Sequence, residues 1–350
     1  MRRAAQALSL VAGLGALAVL FAWFGVEDVA AAIRRTRPGY LVLYLALAGV
    51  IRLGYSVRWF GVARTFGPTP SFGRFVAARL AGDAVGALIP TGSVGGDPVR
   101  IVLLYGRCVG SSAASAGVAL DRLMELFGNT ICAVAYVSVF SFTKVLAPEQ
   151  GTSLALGVAT VPFLVLLAAL AAPLVLLRFG LRPVSPALPA RWLERWPRTA
   201  RALDLVRRTE DDLMVFVRER PGMLLGGILG SLLIEALIVA DYYLLLAAFG
   251  VDLGLPTLLM MIVTLGLVRV APVPAGLGAL EVGQVTLLAA AKGRADLGFL
   301  VGVVLRLHET LWMAVGLAAL SLQGLSLARV RQAAVEEPIA GPVPPPRSAA

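Results

Sequence analysis

Several charged residues sit inside or beside long apolar stretches, and each needs a physical reason to be there. Asp121, Arg122 and Glu125 open one such stretch, at three- and four-residue spacings that put them on one helix face. Arg306 and Glu309 share a face near the end of the chain, with Trp312 one turn further on. Asp97 and Arg100 flank Pro98, where a helix can start and its exposed N–H groups can attract an anion. The preceding pair Gly95-Gly96 lets the backbone come close to such a ligand. Arg269 and Glu281 flank a second stretch rich in Pro and Gly. Arginine suits phosphate because its planar fork binds two oxygens at once. Charges inside apolar segments are costly and mark function by default. For Asp121, Arg122 and Glu125 two readings stand level: a headgroup site, or an internally neutralised ion network that orients a helix. Glu235, in the middle of another apolar run, must be protonated or paired, and Arg269 and Arg306 are its expected partners.

Other chemistry lacks raw material. His308 is the single histidine, so neither a histidine zinc site nor a Ser-His-Asp triad can be assembled elsewhere; packed and hydrogen-bonded is its expected state. Cys108 and Cys132 have no metal or redox spacing. The glycine spacings match neither a P-loop nor a dinucleotide fingerprint, which argues against direct use of ATP. No metal and no cofactor is expected.

The elements that must position these residues follow from composition. Of 350 residues, 58% are hydrophobic and 15% charged, against about 25% charged in a soluble domain. Such a chain cannot cover itself with polar surface, so the fold class is an all-α polytopic integral membrane protein. Apolar runs long enough to span cover about 5–24, 40–60, 118–143, 152–177, 222–249 and 297–325. Two further apolar regions, 74–116 and 257–292, are interrupted at Pro90, Gly92, Gly95 and Gly96 and at Pro274, Gly276 and Gly278. Irregular backbone at membrane depth survives only when buried in protein or lining a polar cavity, so these regions are read as broken, re-entrant hairpins, with pairs of short complete spans as the alternative. Residues 178–221 hold ten arginines and six acids and read as an amphipathic segment on the membrane surface, not as a nucleic-acid site. The membrane domain is expected over 1–325. Residues 326–350, rich in Pro and Ala, read as a disordered tail. The net charge of +10 is nearly all arginine. The positive-inside rule puts 178–221, the tail and both termini in the cytoplasm, although Arg34, Arg35 and Arg37 then fall outside.

Under this topology the halves 40–143 and 222–325 mirror each other as span, broken hairpin, span. Their interruptions correspond too: Asp97 follows Pro90, and Glu281 follows Pro274, by seven residues each. Paired broken segments in halves of opposite topology are the sequence sign of a transporter with a midplane site.

The segments PTGSVGGDPVRIVLL (Pro90–Leu104), Asp121–Glu125, APVPAGLGALEVG (Ala271–Gly283) and VVLRLHETLWMAVGL (Val303–Leu317) resemble the flippase-like family, also called the lysylphosphatidylglycerol synthase transmembrane-domain family. The likeness runs from about Arg52 to Leu325. Two positions depart from the family pattern: Asp121 and Glu125 exchange the usual acids around Arg122, and Asp97 stands where many members have Glu. The Gly95-Gly96-Asp97 variant and the Arg306…Glu309 pair resemble the branch found with hopanoid biosynthesis. The segment after Leu325 is expected to be too short for the soluble aminoacyl-transferase domain of the best-known members. The resemblance therefore implies lipid translocation in a bacterial inner membrane. The site would use Asp97, Arg100, Asp121, Arg122, Glu125, Arg269, Glu281, Arg306 and Glu309, with a membrane lipid as partner. The alternatives are a membrane enzyme on a lipid-linked substrate, using Asp97, Asp121 and Glu281 as bases or metal ligands, and a non-catalytic partner of a lipid-modifying enzyme.

Overall fold

A computed structural model describes residues 34, 36–88, 94–104, 110–146, 152–188, 194, 197–270, 279–292 and 295–322. Helices make up nearly all of it: α1 (Pro38–Ala63), α2 (Phe72–Leu88), α3 (Asp97–Leu104), α4 (Ser111–Leu146), α5 (Thr152–Arg178), α6 (Pro197–Glu219), α7 (Pro221–Ala248), α8 (Leu255–Val270), α9 (Ala279–Lys292) and α10 (Ala295–Leu322). Among the described residues, five segments are long and apolar enough to cross a bilayer: Pro38–Phe66, Ser111–Thr143, Val161–Arg178, Pro221–Ala248 and Leu297–Leu322. They match five of the six expected spans; the sixth, 5–24, lies outside the described residues, as do 323–350.

Helix ends fall where backbone chemistry puts them. Prolines at the first positions of α1 and α7 fit where an N–H would go unused. Helix α2 stops at Leu88, and regular helix resumes at Asp97, just before Pro98. Helix α8 ends at Val270 and α9 begins at Ala279. The described helices of the two regions, α2 and α3 in one and α8 and α9 in the other, are each shorter than a span. The breaking residues Pro90, Gly92, Pro274, Gly276 and Gly278 themselves lie outside the described residues. Helix α5 carries Pro162 and Pro173 inside it, as membrane helices tolerate.

The packing order fixes helix directions. The N–H of Arg37 donates to Ala248 O (2.8 Å) at one end of the α1–α7 pair. At the other end Arg58 reaches Ser231, so α1 and α7 run antiparallel. Helix α4 also runs against α1: Gly117 sits beside Ala63, while Asp121 and Glu125 face Arg58. Helix α10 runs along α1, since His308 meets Tyr44 and Trp312 meets Gly49 and Arg52. Helix α2 packs on α10, and α8 packs on α4.

Three close approaches hold the bundle. A Cβ on Gly316 would strike the Leu80 carbonyl of α2, one on Gly128 would strike Ser231 of α7, and one on Gly227 would strike Met124 of α4. Gly222, Gly226 and Gly230, spaced as a small-residue contact stripe would be, have nothing within 4 Å; α7 meets its neighbour through Gly227, the adjacent face. Helix α6 is amphipathic, as expected of 178–221. It lies against α4 and α5, with Phe216 stacked on Phe66 and Arg182 bound to Asp211.

Candidate functional site

The polar centre of the described structure is an arginine cage where α1, α2, α3, α4 and α7 meet. Asp121 is wholly buried and accepts from three guanidiniums: Arg58 Nε (2.9 Å), Arg79 Nη1 (2.9 Å) and Arg100 Nη2 (2.5 Å). One turn on, Glu125 accepts from Arg58 Nη2 (3.1 Å), Arg79 Nη2 (3.0 Å) and Arg122 Nη1 (2.9 Å). Asp97, at the first position of α3, accepts from Arg100 Nη1 (3.2 Å) and from Arg122 Nε (3.1 Å) and Nη2 (2.9 Å). Ser231 of α7 accepts from Arg58 Nη1 (2.8 Å). Charge-assisted bonds of this kind are the strong ones, and forked guanidiniums add geometric specificity.

Aromatic rings of α1 form one wall. The Arg100 guanidinium lies over Trp59 (4.1 Å to the ring centre), and Arg79 lies over Tyr55 (4.6 Å). Rings attract cations more strongly where water is excluded. Against another wall, the turn before α3 meets α2 backbone to backbone: a Cβ on Gly96 would collide with the Gly82 carbonyl, and one on Gly82 with the Arg100 side chain. Gly96 is therefore required by close approach, as the sequence suggested. What approaches is a helix of the same chain.

The cage has an inside and a rim. The side chains of Arg58, Arg79, Arg100 and Asp121 are at most 4% exposed. Arg122, Asp97 and Glu125 are 17%, 13% and 12% exposed, and Asp83, bound to Arg79, is 42% exposed. Four guanidiniums thus face one enclosed carboxylate and two at the rim, with the fourth acid at the mouth. Oδ2 of Asp121 accepts from both Arg79 and Arg100, and Oδ1 accepts from Arg58.

Five expected site residues, Asp97, Arg100, Asp121, Arg122 and Glu125, come together here. Arg100 does not face a ligand at the start of α3; it turns inward to Asp121 and stacks on Trp59. Arg58 and Arg79 were not anticipated. The available signal was an arginine in an apolar run whose partner must come from another helix, since α1 contains no acid at all. Arg306 and Glu309 lie elsewhere, on α10, and pair with each other at 3.4 Å. The side chains of Arg269 and Glu281 lie outside the described residues. Glu235 lies beside Asn129, whose amide, oriented with its nitrogen toward Glu235, donates to it at 2.8 Å and to the Glu125 carbonyl at 2.7 Å; the side chain of Arg269, one of its two expected partners, lies outside the described residues. His308 is hydrogen-bonded to Tyr44, as expected of a packed histidine, and Trp312 carries Arg52 over its ring at 4.1 Å.

The segments around Asp97 and Asp121 that carry the family resemblance meet in this charged cage, and comparison with known proteins bears on the family itself. The family model described as the lysylphosphatidylglycerol synthase TM region matches residues 6–318. The chain belongs to that family. A UPF0104 membrane protein of Methanothermobacter thermautotrophicus is similar to it, 25% identical over 336 residues, which are 92% of this chain and 96% of that relative. For the lysylphosphatidylglycerol synthase TM family, then, this member presents a multi-pass helical membrane domain whose cage draws on α2 and α3 together with the longer α1, α4 and α7.

Proposed function

We propose that the protein moves an anionic amphipathic lipid, or a lipid-linked headgroup, between leaflets. One observation carries the reading: four guanidiniums converge within the membrane domain beside a helix break, three enclosed and the fourth, Arg122, at an accessible rim. A headgroup crossing hydrocarbon must exchange water for fixed charges and donors. Arg122 is the donor best placed to make that exchange. Asp97 is the internal counter-ion that a phosphate would displace, and Arg58, Arg79 and Arg100 with Asp121 form the anchor that holds the rim in place. The acyl chains stay in lipid. The proposal extends to orientation: arginine-rich α6 faces the cytoplasm of a bacterial inner membrane, as the positive-inside rule requires.

The test is reconstitution into liposomes with fluorescent phosphatidylglycerol and phosphatidylcholine analogues and a leaflet-accessibility readout. The wild type is expected to accelerate exchange of the anionic analogue, and Arg122→Gln to abolish it at unchanged protein abundance. Exchange no faster than in protein-free vesicles for every headgroup refutes the proposal.

A further inference from the structure

The charged motifs of the two halves are related by more than their prolines. A constant offset of 184 residues carries Pro90, Gly92, Asp97, Arg122 and Glu125 onto Pro274, Gly276, Glu281, Arg306 and Glu309. The same offset carries Gly82 onto Gly266 and Leu104 onto Leu288. The packing obeys the same exchange. Helix α1 packs antiparallel on its counterpart α7, and the contact of α2 with α10 is matched by that of α8 with α4. Arg122 bonds Glu125 within α4, and Arg306 bonds Glu309 within α10, both through Nη1.

The interiors differ. Under the offset, Arg58, Arg100 and Asp121 correspond to Tyr242, Gln284 and Leu305. All three are buried, and the Tyr242 hydroxyl donates to Gln284 Oε1. The ionic trio of the first half is thus replaced by a neutral hydrogen-bonded pair and a leucine. Gln284 is completely buried, yet its Nε2 finds no acceptor among the described residues. An amide NH2 has two donors, and a buried donor left unmade is costly. Arg306 is also buried, while Glu309 is 31% exposed.

We infer that the second half holds a second anion station, equivalent in position to the cage but neutral inside, in which Arg306 and the Gln284 amide take the phosphate of a lipid headgroup. The inference rests on the lipid-translocation reading above. Because α7 and α10 run against α1 and α4, the exchange that relates the halves also inverts them. The two stations then lie on opposite sides of the midplane, one reached from each leaflet. The first holds its rim with a fixed ionic anchor. The second has donors in place of that anchor, so an incoming phosphate meets fewer competing carboxylates.

The experiment titrates the purified full chain with dioleoyl phosphatidylglycerol and reads bound lipid by native mass spectrometry, with diolein as the phosphate-free control. Wild type is expected to take two saturable phosphatidylglycerol molecules and no diolein. Arg122→Gln and Arg306→Gln should each lose one, and the double variant both. Gln284→Met fills the same space without donors, and Arg306→Lys keeps the charge without the fork. Each should weaken the second site about tenfold, so the outcome does not depend on Arg306→Gln folding. One saturable site in wild type, lost in Arg122→Gln and unchanged in Arg306→Lys and Gln284→Met, overturns the second station and leaves translocation standing. No saturable site at all refutes both. Glycerol phosphate in a parallel arm separates the sources: capture of the lipid alone assigns a headgroup, and capture of both assigns the shared phosphate chemistry.

Discussion

Replacing Asp121 with Asn tests whether the inner cage is an anchor. The substitution keeps the shape and one acceptor oxygen but removes the only charge that Arg58, Arg79 and Arg100 share. Breaking a buried ion pair by removing one partner costs about 3–5 kcal/mol. Three guanidiniums lose the same completely buried carboxylate here, so a value near the upper end is expected. Folded proteins typically have about 5–15 kcal/mol to lose, so the variant should retain little margin. Its amount in the membrane should fall several-fold, and the denaturant midpoint of the purified protein should drop steeply. The second half supplies the control, because it shows the same positions filled without charge. The quadruple variant Arg58→Tyr, Arg79→Val, Arg100→Gln, Asp121→Leu imports the residues found at the equivalent positions 242, 263, 284 and 305. Replacing a buried ion set by packed neutral groups is often neutral or stabilising, so this variant should recover abundance that Asp121→Leu alone loses. An Asp121→Asn protein with wild-type abundance and midpoint would refute the anchor argument.

Three further outcomes follow from the same structure. Arg122→Lys should remain abundant and move lipid more slowly than wild type but faster than Arg122→Gln, read in the liposome assay, because it keeps charge without the fork. Gly96→Ala should destabilise the protein by at least about 1–3 kcal/mol, measured by denaturant unfolding, because the new methyl meets the Gly82 carbonyl. For orientation, Ala202 on α6 is exposed and suits a labelling cysteine. In a background without Cys108 and Cys132, Ala202→Cys should stay unlabelled by an impermeant maleimide in intact spheroplasts and react after permeabilisation. Labelling without permeabilisation would reverse the orientation.

Length and hydropathy made the membrane helices legible. Helices α1, α4, α5, α7 and α10 fall on the expected runs because about 20 apolar residues have few other uses. The start of α3 at Asp97, just before Pro98, was legible because proline fixes backbone geometry locally, whatever the tertiary setting. The cage was legible only in part. Asp121, Arg122 and Glu125 announced themselves by helical spacing, but that spacing does not say which guanidiniums reach them. Arg58 comes from 63 residues away and Arg79 from 42, and pairing at such separations is set by how helices cross. The glycines of α7 show the same limit. The Gly222, Gly226 and Gly230 stripe and Gly227 are indistinguishable by composition, and only packing shows that Gly227 makes the contact. Arg100 misled for a related reason, since its position beside a helix start suggested a ligand-facing role while its side chain points to the interior.

The long separation between Arg58 and Asp121 also sets a timetable for making the protein. Helix α1 leaves the ribosome before its counter-ion has been synthesised. At about 5–20 residues per second, the 63 intervening residues take roughly 3–13 seconds. During that interval α1 carries a guanidinium into the insertion machinery alone, at a cost of about 2.5–3.5 kcal/mol for an arginine at a helix centre. Arg58 lies near the C-terminal end of its 29-residue apolar segment, where a long side chain can reach the interface while it waits. Arg79 has Asp83 one turn on but waits for its buried partner over 42 residues. The entry of α4 then satisfies both at once, through Asp121 and Glu125. Biogenesis therefore has a commitment point at α4: a ribosome that stalls before residue 121 leaves Arg58 without its carboxylates and Arg79 with Asp83 alone, a marker by which quality control could recognise an unfinished chain.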